Sequence, residues 1–154
     1  MQSAYEARLV KNTEQLKKLL GSPSIKYSDW PPNDNESLKF CAGIYHFYEV
    51  KGELVESMYI GKAGFGKTNS KWSLYSRLKQ HFQPSQRNTL LGKASKVANV
   101  TSDQMRNQFN ERSIYLQWIV LGDRTDKIQP ELISELLFLE YFAIAILQPK
   151  YTES

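Results

Sequence analysis

The sequence has little of the chemistry from which disulfides, metal clusters and membrane spans are built. Its 154 residues include one cysteine, Cys41, and two histidines, so an internal disulfide and a zinc site with two or more cysteines are excluded. No apolar run reaches the ~18 residues of a spanning helix. The first residues, MQSAYEARLV, have no apolar signal core. We therefore expect a soluble, cytoplasmic protein in a reducing compartment, with no membrane partner.

Acidic residues are absent from one long stretch of the chain. The whole sequence has 20 lysines and arginines against 16 acidic residues, a net charge of +4, yet no carboxylate occurs between Glu56 and Asp103. The candidate DNA-contacting residues of this stretch are Lys67, Lys71, Lys79, Arg87, Lys93 and Lys96. Such segregation of charge favours a footprint for the phosphates of a nucleic acid. A basic surface that only keeps the protein in solution is the alternative.

What is present fits a globular chain of ordinary domain size. Hydrophobic residues make up 41% and charged residues 23% of the sequence, a balance that excludes disordered and collagen-like chains. Residues 1–38 are predicted to form a helix and a proline-rich arm, in which Trp30 is expected to pack against the rest of the protein. Residues 39–154 are expected to form the main domain.

The patterning of the chain predicts a small α+β (α/β) fold. The predicted helices span residues 4–20, 72–82, 102–110 and 130–147, and the predicted strands span residues 40–50, 54–60 and 113–121. A turn at Lys51-Gly52-Glu53 indicates that the first two strands form an antiparallel hairpin. Thr101 with Gln104 fits a capping box, and residues 83–100 are polar and ambiguous. We therefore expect a three-stranded, mixed or antiparallel sheet flanked by helices.

The loop after the second strand matches the Walker A pattern, with Gly61, Gly66, Lys67 and Thr68 at the required spacing. Its amides could cradle nucleotide phosphates while Lys67 neutralises them. A P-loop strand, however, is parallel and buried among several others, whereas this strand follows a short hairpin turn. A nucleotide-binding P-loop protein is therefore the last of three hypotheses for this chain.

Several side chains near this loop suit the handling of a phosphodiester. Arg77 and His81 are four residues apart, hence on one helix face, and a guanidinium beside an imidazole suits phosphate binding. A solvated helix face is the simpler alternative. Tyr45 and Tyr59 lie on the two hairpin strands and Lys62 follows them; by default these would be packing and surface residues.

Glu140 stands out on the last predicted helix. It is the only charged residue between Leu136 and Leu147. A carboxylate set into an apolar stripe lowers stability unless it is paired or binds a metal. The alternative is that Glu140 lies at the edge of the helix and reaches water.

Taken together, these residues resemble the GIY-YIG nuclease family. The residues that carry the resemblance are GIY at 43–45, YIG at 59–61, Lys62, Arg77, His81 and Glu140, in the order found in that family. The resemblance covers residues 39–152 and implies a small mixed sheet with the two tyrosines converging on one face. The run YIGKA followed by SRLKQHF is most similar to the stand-alone restriction-endonuclease branch, although the nuclease of bacterial excision repair also carries a YIGKA-type run.

The resemblance implies hydrolysis of the phosphodiester bonds of DNA, which we expect to be double-stranded, with one divalent metal ion, Mg²⁺ or Mn²⁺. Mg²⁺ prefers oxygen ligands and keeps much of its hydration, so one carboxylate with several waters suits it. Glu140 would be the metal ligand, and Arg77 would contact the oxygens of the scissile phosphate.

The resemblance also implies that the first tyrosine, Tyr45, is the general base. Because the pKa of a tyrosine lies near ~10, its ionised form needs a cationic neighbour, and Lys62 is the candidate. Tyr59 and His81 would complete the hydrogen-bond shell. A mechanism in which His81 is the base is the rival assignment.

One departure from the family pattern lies near the end of the chain. Family members commonly place an asparagine two or three residues after the late proline, whereas Pro149 is followed here by Lys150, Tyr151 and Thr152. A catalytically inactive DNA-binding module of the same family is therefore the second hypothesis. The first remains a metal-dependent DNA endonuclease of restriction or repair type, with its oligomeric state left open.

Overall fold

A four-stranded sheet with helices on both faces forms the centre of the computed structural model, which describes residues 3–64, 73–123 and 130–152. In chain order, the helices of this part are α1 (Ala4–Leu20), α2 (Leu74–Gln80), α3 (Leu90–Ala98), α4 (Ser102–Glu111) and α5 (Pro130–Leu147). Its strands are β1 (Ile25–Lys26), β2 (Cys41–Lys51), β3 (Leu54–Ala63) and β4 (Ile114–Asp123). The fold is mixed α/β, as the sequence predicts.

The strand order is β1-β4-β2-β3, and every pairing in the described sheet is antiparallel. The three long strands lie where the sequence predicts them, but the described sheet has four strands and not the predicted three. β1 consists of Ile25 and Lys26, which lie opposite Leu116 and Tyr115; two residues are too few for a periodic pattern to reveal. The hairpin of β2 and β3 is confirmed, and its pairing differs from that of a P-loop strand.

The register between β2 and β3 decides which side chains share a face of the sheet. Tyr45 lies opposite Gly61, and Ile44 lies opposite Lys62. Directly opposed residues lie on the same face, and neighbouring residues of one strand point to opposite faces. Tyr45 and Lys62 are therefore on different faces, which we call the Tyr45 face and the Ile44 face.

Each face buries its own apolar cluster. On the Tyr45 face the helical members come from α2, α3 and α4 and are Leu74, Leu78, Leu90, Leu91, Ala94, Met105 and Phe109. On the Ile44 face they come from α1 and α5 and are Leu16, Leu19, Leu136, Leu139 and Ala143. The sheet is thus the middle of three layers, and burial on both of its faces is the main source of stability.

The arm between α1 and β2 packs onto the Tyr45 face. Tyr27 is 2% exposed, and its ring stacks on Phe82 with centroids 4.3 Å apart. Trp30 stacks on the same Phe82 at 4.7 Å with an interplanar angle of 9°. The expectation that Trp30 packs against the protein is confirmed, and the arm also supplies β1.

Local capping explains where the helices begin and end. The predicted capping box of Thr101 and Gln104 is present at the start of α4, and the helix predicted over 4–20 is observed as α1. The ambiguous segment 83–100 contains α3, which Thr89 caps by accepting from the N–H of Gly92 and which ends at Asn99 with φ 55°. In the described part of the chain, none of the helices combines the length and apolar composition that crossing a membrane requires.

A prediction concerns Gly43, where β2 and β4 approach closely. A Cβ atom at Gly43 would lie 2.0 Å from the carbonyl oxygen of Ile119, a backbone atom that cannot rotate away. We expect Gly43→Ala to lower the free energy of unfolding by about 3 kcal/mol or more, because this overpacking must displace a strand. The change is measured by urea denaturation.

The matched control is Gly52→Ala in the hairpin turn. Gly52 has φ +62° and open space around its Cα, so alanine there meets only the strain of the left-handed conformation, about 1–2 kcal/mol. Equal losses in the two variants would contradict the close approach of β2 and β4 at Gly43.

Candidate active site

Three aromatic side chains form a buried cluster on the Tyr45 face. Tyr45 comes from β2, Tyr59 from β3 and His81 from the C-terminal cap of α2, and each is 0% exposed. The tyrosine rings stack with centroids 6.3 Å apart and an interplanar angle of 14°. The His81 ring lies 5.2 Å from that of Tyr45 and 4.8 Å from that of Tyr59. The structure therefore brings these three predicted site residues together.

Both ring nitrogens of His81 take part in hydrogen bonds. The backbone N–H of Leu90 donates to Nδ1 over 2.9 Å, and Nε2 lies 2.7 Å from the hydroxyl oxygen of Tyr45. Because Nδ1 must keep its lone pair to accept, the proton of the neutral imidazole is on Nε2. His81 therefore donates to Tyr45, and the phenolic oxygen of Tyr45 is an acceptor.

The surroundings of His81 favour its neutral form. Burial holds the pKa of His81 well below its usual range, and the positive charge of Arg77 lowers that pKa further. The backbone of the same residue is held by the arm, since the hydroxyl of Tyr27 donates to the carbonyl oxygen of His81 over 2.8 Å. Burial raises the pKa of Tyr27, so this donor keeps its proton.

Arg77 lies one helical turn before His81 on the same face of α2. Its Nη1 donates to Oε1 of Gln80 over 2.6 Å, and its Nη2 donates to the backbone carbonyl of Asn88 over 3.0 Å. Gln80 and Asn88 thereby fix the plane of the guanidinium, a group with five N–H donors that can bind a phosphate in a bidentate manner. Arg77 is partly exposed, so phosphate can approach it.

The Ile44 face carries a buried ion pair. Glu140 of α5 is 4% exposed, so of the two positions that the sequence leaves open, the structure shows the one within the apolar stripe. The ammonium group of Lys62 on β3 donates to Oε1 of Glu140 over 2.8 Å, which supplies the partner that a buried carboxylate requires. Lys62 is thus paired with Glu140 on the Ile44 face of the sheet. This differs from the expectation that Lys62 is the cationic neighbour of Tyr45, which lies on the other face.

Gly61 is the residue of β3 that lies opposite Tyr45 and directly precedes Lys62. A Cβ atom at Gly61 would be 2.3 Å from the hydroxyl oxygen of Tyr45, so the tip of that ring extends over β3 where the strand has no side chain. β3 is an edge strand, and the next residue, Lys62, leads to Glu140 on the other face. The Tyr45 hydroxyl lies over Gly61 on one face of edge strand β3, and the Lys62–Glu140 pair lies at the next residue on the other face.

Glu140 is the residue to which the sequence assigns a metal ion. Within residues 3–64, 73–123 and 130–152, no group of three or more His, Cys, Asp and Glu residues is placed to hold a metal. The donor set that remains is one carboxylate, and Mg²⁺ commonly binds through one or two carboxylates with water and phosphate oxygens as its other ligands. A hard carboxylate of this kind, held beside Lys62 of β3, fits Mg²⁺ or Mn²⁺ bound in that way.

The candidate DNA-contacting residues differ in exposure. Lys79 on α2, Arg87 before α3 and Lys96 on α3 are exposed, whereas Lys93 is partly buried and donates to the backbone carbonyl oxygen of Thr152. All four belong to elements that cover the Tyr45 face. Two further candidates lie outside the described residues, namely Lys67 and Lys71.

Sequence reasoning missed two groups that contact His81. Leu90 acts through its backbone N–H, which no side-chain pattern reveals, although Thr89 followed by Gly92 is a usable signal for a helix start. Tyr27 lies far away in the sequence, in an arm whose path the pattern leaves open. The N–H of Leu90 contacts the His81 ring, whereas Tyr27 contacts its backbone carbonyl.

Comparison with protein-family models, with curated proteins and with solved structures finds no match to this chain.

The low pKa of His81 predicts how stability depends on pH. In the unfolded chain this histidine has a pKa near ~6.5, whereas in the folded protein it binds a proton only at lower pH. The unfolded state is therefore protonated first as the pH falls. The free energy of unfolding decreases as the pH drops below about 6.5. We expect urea denaturation to give a lower free energy of unfolding at pH 5.5 than at pH 7.5, which are about one unit below and above the pKa of the unfolded histidine.

The variant His81→Gln should lose less stability between about pH 7.5 and pH 5.5, because it has no buried imidazole at position 81 that must stay unprotonated in the folded state. The pKa of His46 is also lowered by burial, so wild type and variant share that second contribution and the difference isolates His81. The same loss in both proteins would show that His81 does not resist protonation.

Proposed function

We propose that this protein is a divalent-metal-dependent endonuclease of the GIY-YIG type that hydrolyses the phosphodiester bonds of DNA, in a restriction or repair role. The observation that carries the proposal is the buried hydrogen bond from His81 to Tyr45, 2.7 Å long, one helical turn from the guanidinium of Arg77. A phenolic oxygen that accepts from an imidazole near a fixed cation is suited to act as a general base.

Tyr45 takes the proton in the proposed reaction. As water attacks the phosphorus atom, the phenolate oxygen of Tyr45 accepts a proton from that water, and the bond from phosphorus to the leaving 3′-oxygen breaks. Because an ordinary tyrosine ionises only near pH ~10, the phenolate needs stabilisation. The Nε2–H of His81 and the positive charge of Arg77 supply it.

His81 is assigned the role of hydrogen-bond donor and not of base. Its Nδ1 accepts from Leu90 and its Nε2 carries the proton that bonds to Tyr45, so both nitrogens are committed. A base must offer a lone pair to the water that it activates. For His81 to activate water instead, one of these two hydrogen bonds would have to break.

Arg77 and the exposed basic residues would bind the backbone of DNA. The guanidinium of Arg77 would contact the non-bridging oxygens of the scissile phosphate, on which negative charge accumulates in the transition state. Lys79, Arg87 and Lys96 lie on the same side of the sheet and would neutralise flanking phosphates.

Glu140 would hold the metal ion. When bound, Mg²⁺ or Mn²⁺ supplies positive charge to the leaving 3′-oxygen. Lys62 compensates the buried charge of Glu140 through their 2.8 Å ion pair and holds its carboxylate beside β3.

Two observations favour a second candidate, a catalytically inactive DNA-binding module. Tyr45 is 0% exposed, and Lys62 covers one oxygen of Glu140. In such a protein both groups would stabilise the fold, and the basic surface alone would act on DNA. The two candidates differ in whether DNA is cut.

Digestion of supercoiled plasmid tests the proposed function directly. We expect nicked or linear product in the presence of Mg²⁺ or Mn²⁺ and none in EDTA. Binding of a DNA duplex without cleavage under every metal condition would favour the binding module. Saturable ATP binding without either activity would favour the P-loop hypothesis.

Replacement of Tyr45 by phenylalanine tests the proposed base. We expect single-turnover cleavage to slow by about 10²–10⁴, the usual contribution of a positioned general base. The protein should remain folded but lose about 1–3 kcal/mol, because the buried Nε2–H of His81 loses its acceptor. Plasmid cleavage and urea denaturation measure the two effects.

The matched control is Tyr48→Phe on the same strand. The hydroxyl of Tyr48 also forms a hydrogen bond, over 2.7 Å with Ser24, but it lies away from Arg77 and His81. We expect its cleavage rate to stay near that of wild type. A folded Tyr45→Phe protein that cuts as fast as Tyr48→Phe would remove Tyr45 from the mechanism.

Replacement of Glu140 by glutamine tests the metal ligand. The amide keeps the size of the side chain but removes the charge that attracts Mg²⁺, so cleavage should be abolished while DNA affinity is kept or rises. Glu135→Gln on the same helix is the control, since Glu135 forms an exposed ion pair with Lys11. Equal cleavage by the two variants would refute the assignment of Glu140.

A further inference from the structure

The turn between α2 and α3 supports both α2 residues of the proposed site. Nη2 of Arg77 donates to the carbonyl of Asn88, and two residues later the N–H of Leu90 donates to Nδ1 of His81. The turn is closed by the hydroxyl of Thr89, which donates to the carbonyl of Gln86 over 3.2 Å. One short segment therefore holds the guanidinium and the imidazole at the same time.

The N–H of Leu90 is available because of its position in α3. Leu90 is the first residue of the helix, and the first N–H groups of a helix have no acceptor within it. Thr89 satisfies the N–H of Gly92 over 3.0 Å, which leaves the N–H of Leu90 to His81. The positive end of the helix dipole also disfavours a second proton on that ring.

We propose that Leu90 is a positioning residue whose backbone N–H fixes His81 as the Nε2–H tautomer, so that His81 donates to Tyr45. This inference rests on the proposed function, because the tautomer matters for cleavage only if Tyr45 is the base. Without the N–H of Leu90, the ring could place its proton on Nδ1 and turn a lone pair towards Tyr45. The phenolic oxygen would then lose the donor that stabilises its ionised form.

The second histidine provides an internal reference for the tautomer. Nδ1 of His46 lies 2.9 Å from Oε1 of Gln117, and the Nε2 amide of Gln117 donates to the backbone carbonyls of Leu20 and Ser22. Oε1 of Gln117 is therefore an acceptor, which places the proton of neutral His46 on Nδ1. The two histidines of one chain should show opposite tautomers.

Leu90→Pro removes the N–H, but it also places the proline Cδ towards Nδ1 of His81, which lies 2.9 Å from that backbone nitrogen, so it displaces the ring as well. Proline is favoured at the first position of a helix, and Thr89 has φ −139° and ψ 169°, the extended conformation that the residue before proline prefers. Leu90→Ala is the matched control, since it also truncates the buried side chain but keeps the N–H. An ester at position 90, introduced with the α-hydroxy analogue of leucine, removes the N–H without that clash and keeps the side chain, so it separates loss of the donor from displacement of the ring.

The experiment combines ring ¹⁵N NMR of histidine-labelled protein with single-turnover cleavage of plasmid in Mg²⁺. We expect the Nε2–H form of His81 in wild type and Leu90→Ala, and its loss in Leu90→Pro or the ester. His46 should keep its Nδ1–H form throughout. Cleavage should fall by about 10–100-fold relative to the control that retains the N–H, as for other groups that orient a site residue.

An unchanged Nε2–H form of His81 in the proline and ester variants would overturn the proposal. A changed tautomer with unchanged cleavage would overturn the positioning role. If wild type does not cut DNA at all, the NMR result still decides whether Leu90 sets the tautomer, so failure of the proposed function is distinguishable from failure of this inference.

Discussion

The antiparallel register of β2 and β3 is the constraint on which the rest of the structure depends. It places Tyr45 opposite Gly61 and Ile44 opposite Lys62, and so assigns one set of polar groups to each face. A slip of one residue would exchange the faces of a whole strand. A slip of β2 would point Tyr45 towards α5, and a slip of β3 would take Lys62 away from Glu140. Both halves of the site exist only in this register.

Much of this arrangement could be predicted from local signals. The capping box at Thr101 and the hairpin turn at Gly52 have short-range causes, and each is found where the sequence places it. The solitary charge of Glu140 among apolar neighbours is also a local signal, but it leaves burial and a position at the helix edge open, and the structure shows burial. Predictions of this kind hold because the residues that decide them are a few positions apart in the chain.

The missed features depend on residues that are distant in sequence or on backbone atoms. The partner of Lys62 is on α5, and only the face assignment of β3 reveals it. α3 begins at a polar segment whose signal is a single threonine cap, and β1 is held by pairing with β4 and not by its own pattern. The donor to His81 is a backbone N–H, which every residue except proline carries. The residue type at position 90 therefore does not reveal the donor.

The hydrogen bond from Tyr27 to His81 has a consequence for the order in which the molecule folds. Tyr27 follows β1, whose partners Leu116 and Tyr115 lie on β4, near the other end of the chain. Pairing of such distant segments requires closure of a long loop and is slow compared with formation of the β2–β3 hairpin. We therefore expect His81 to gain its last contact late in folding, so that a nascent chain still lacking β4 would carry an incomplete site.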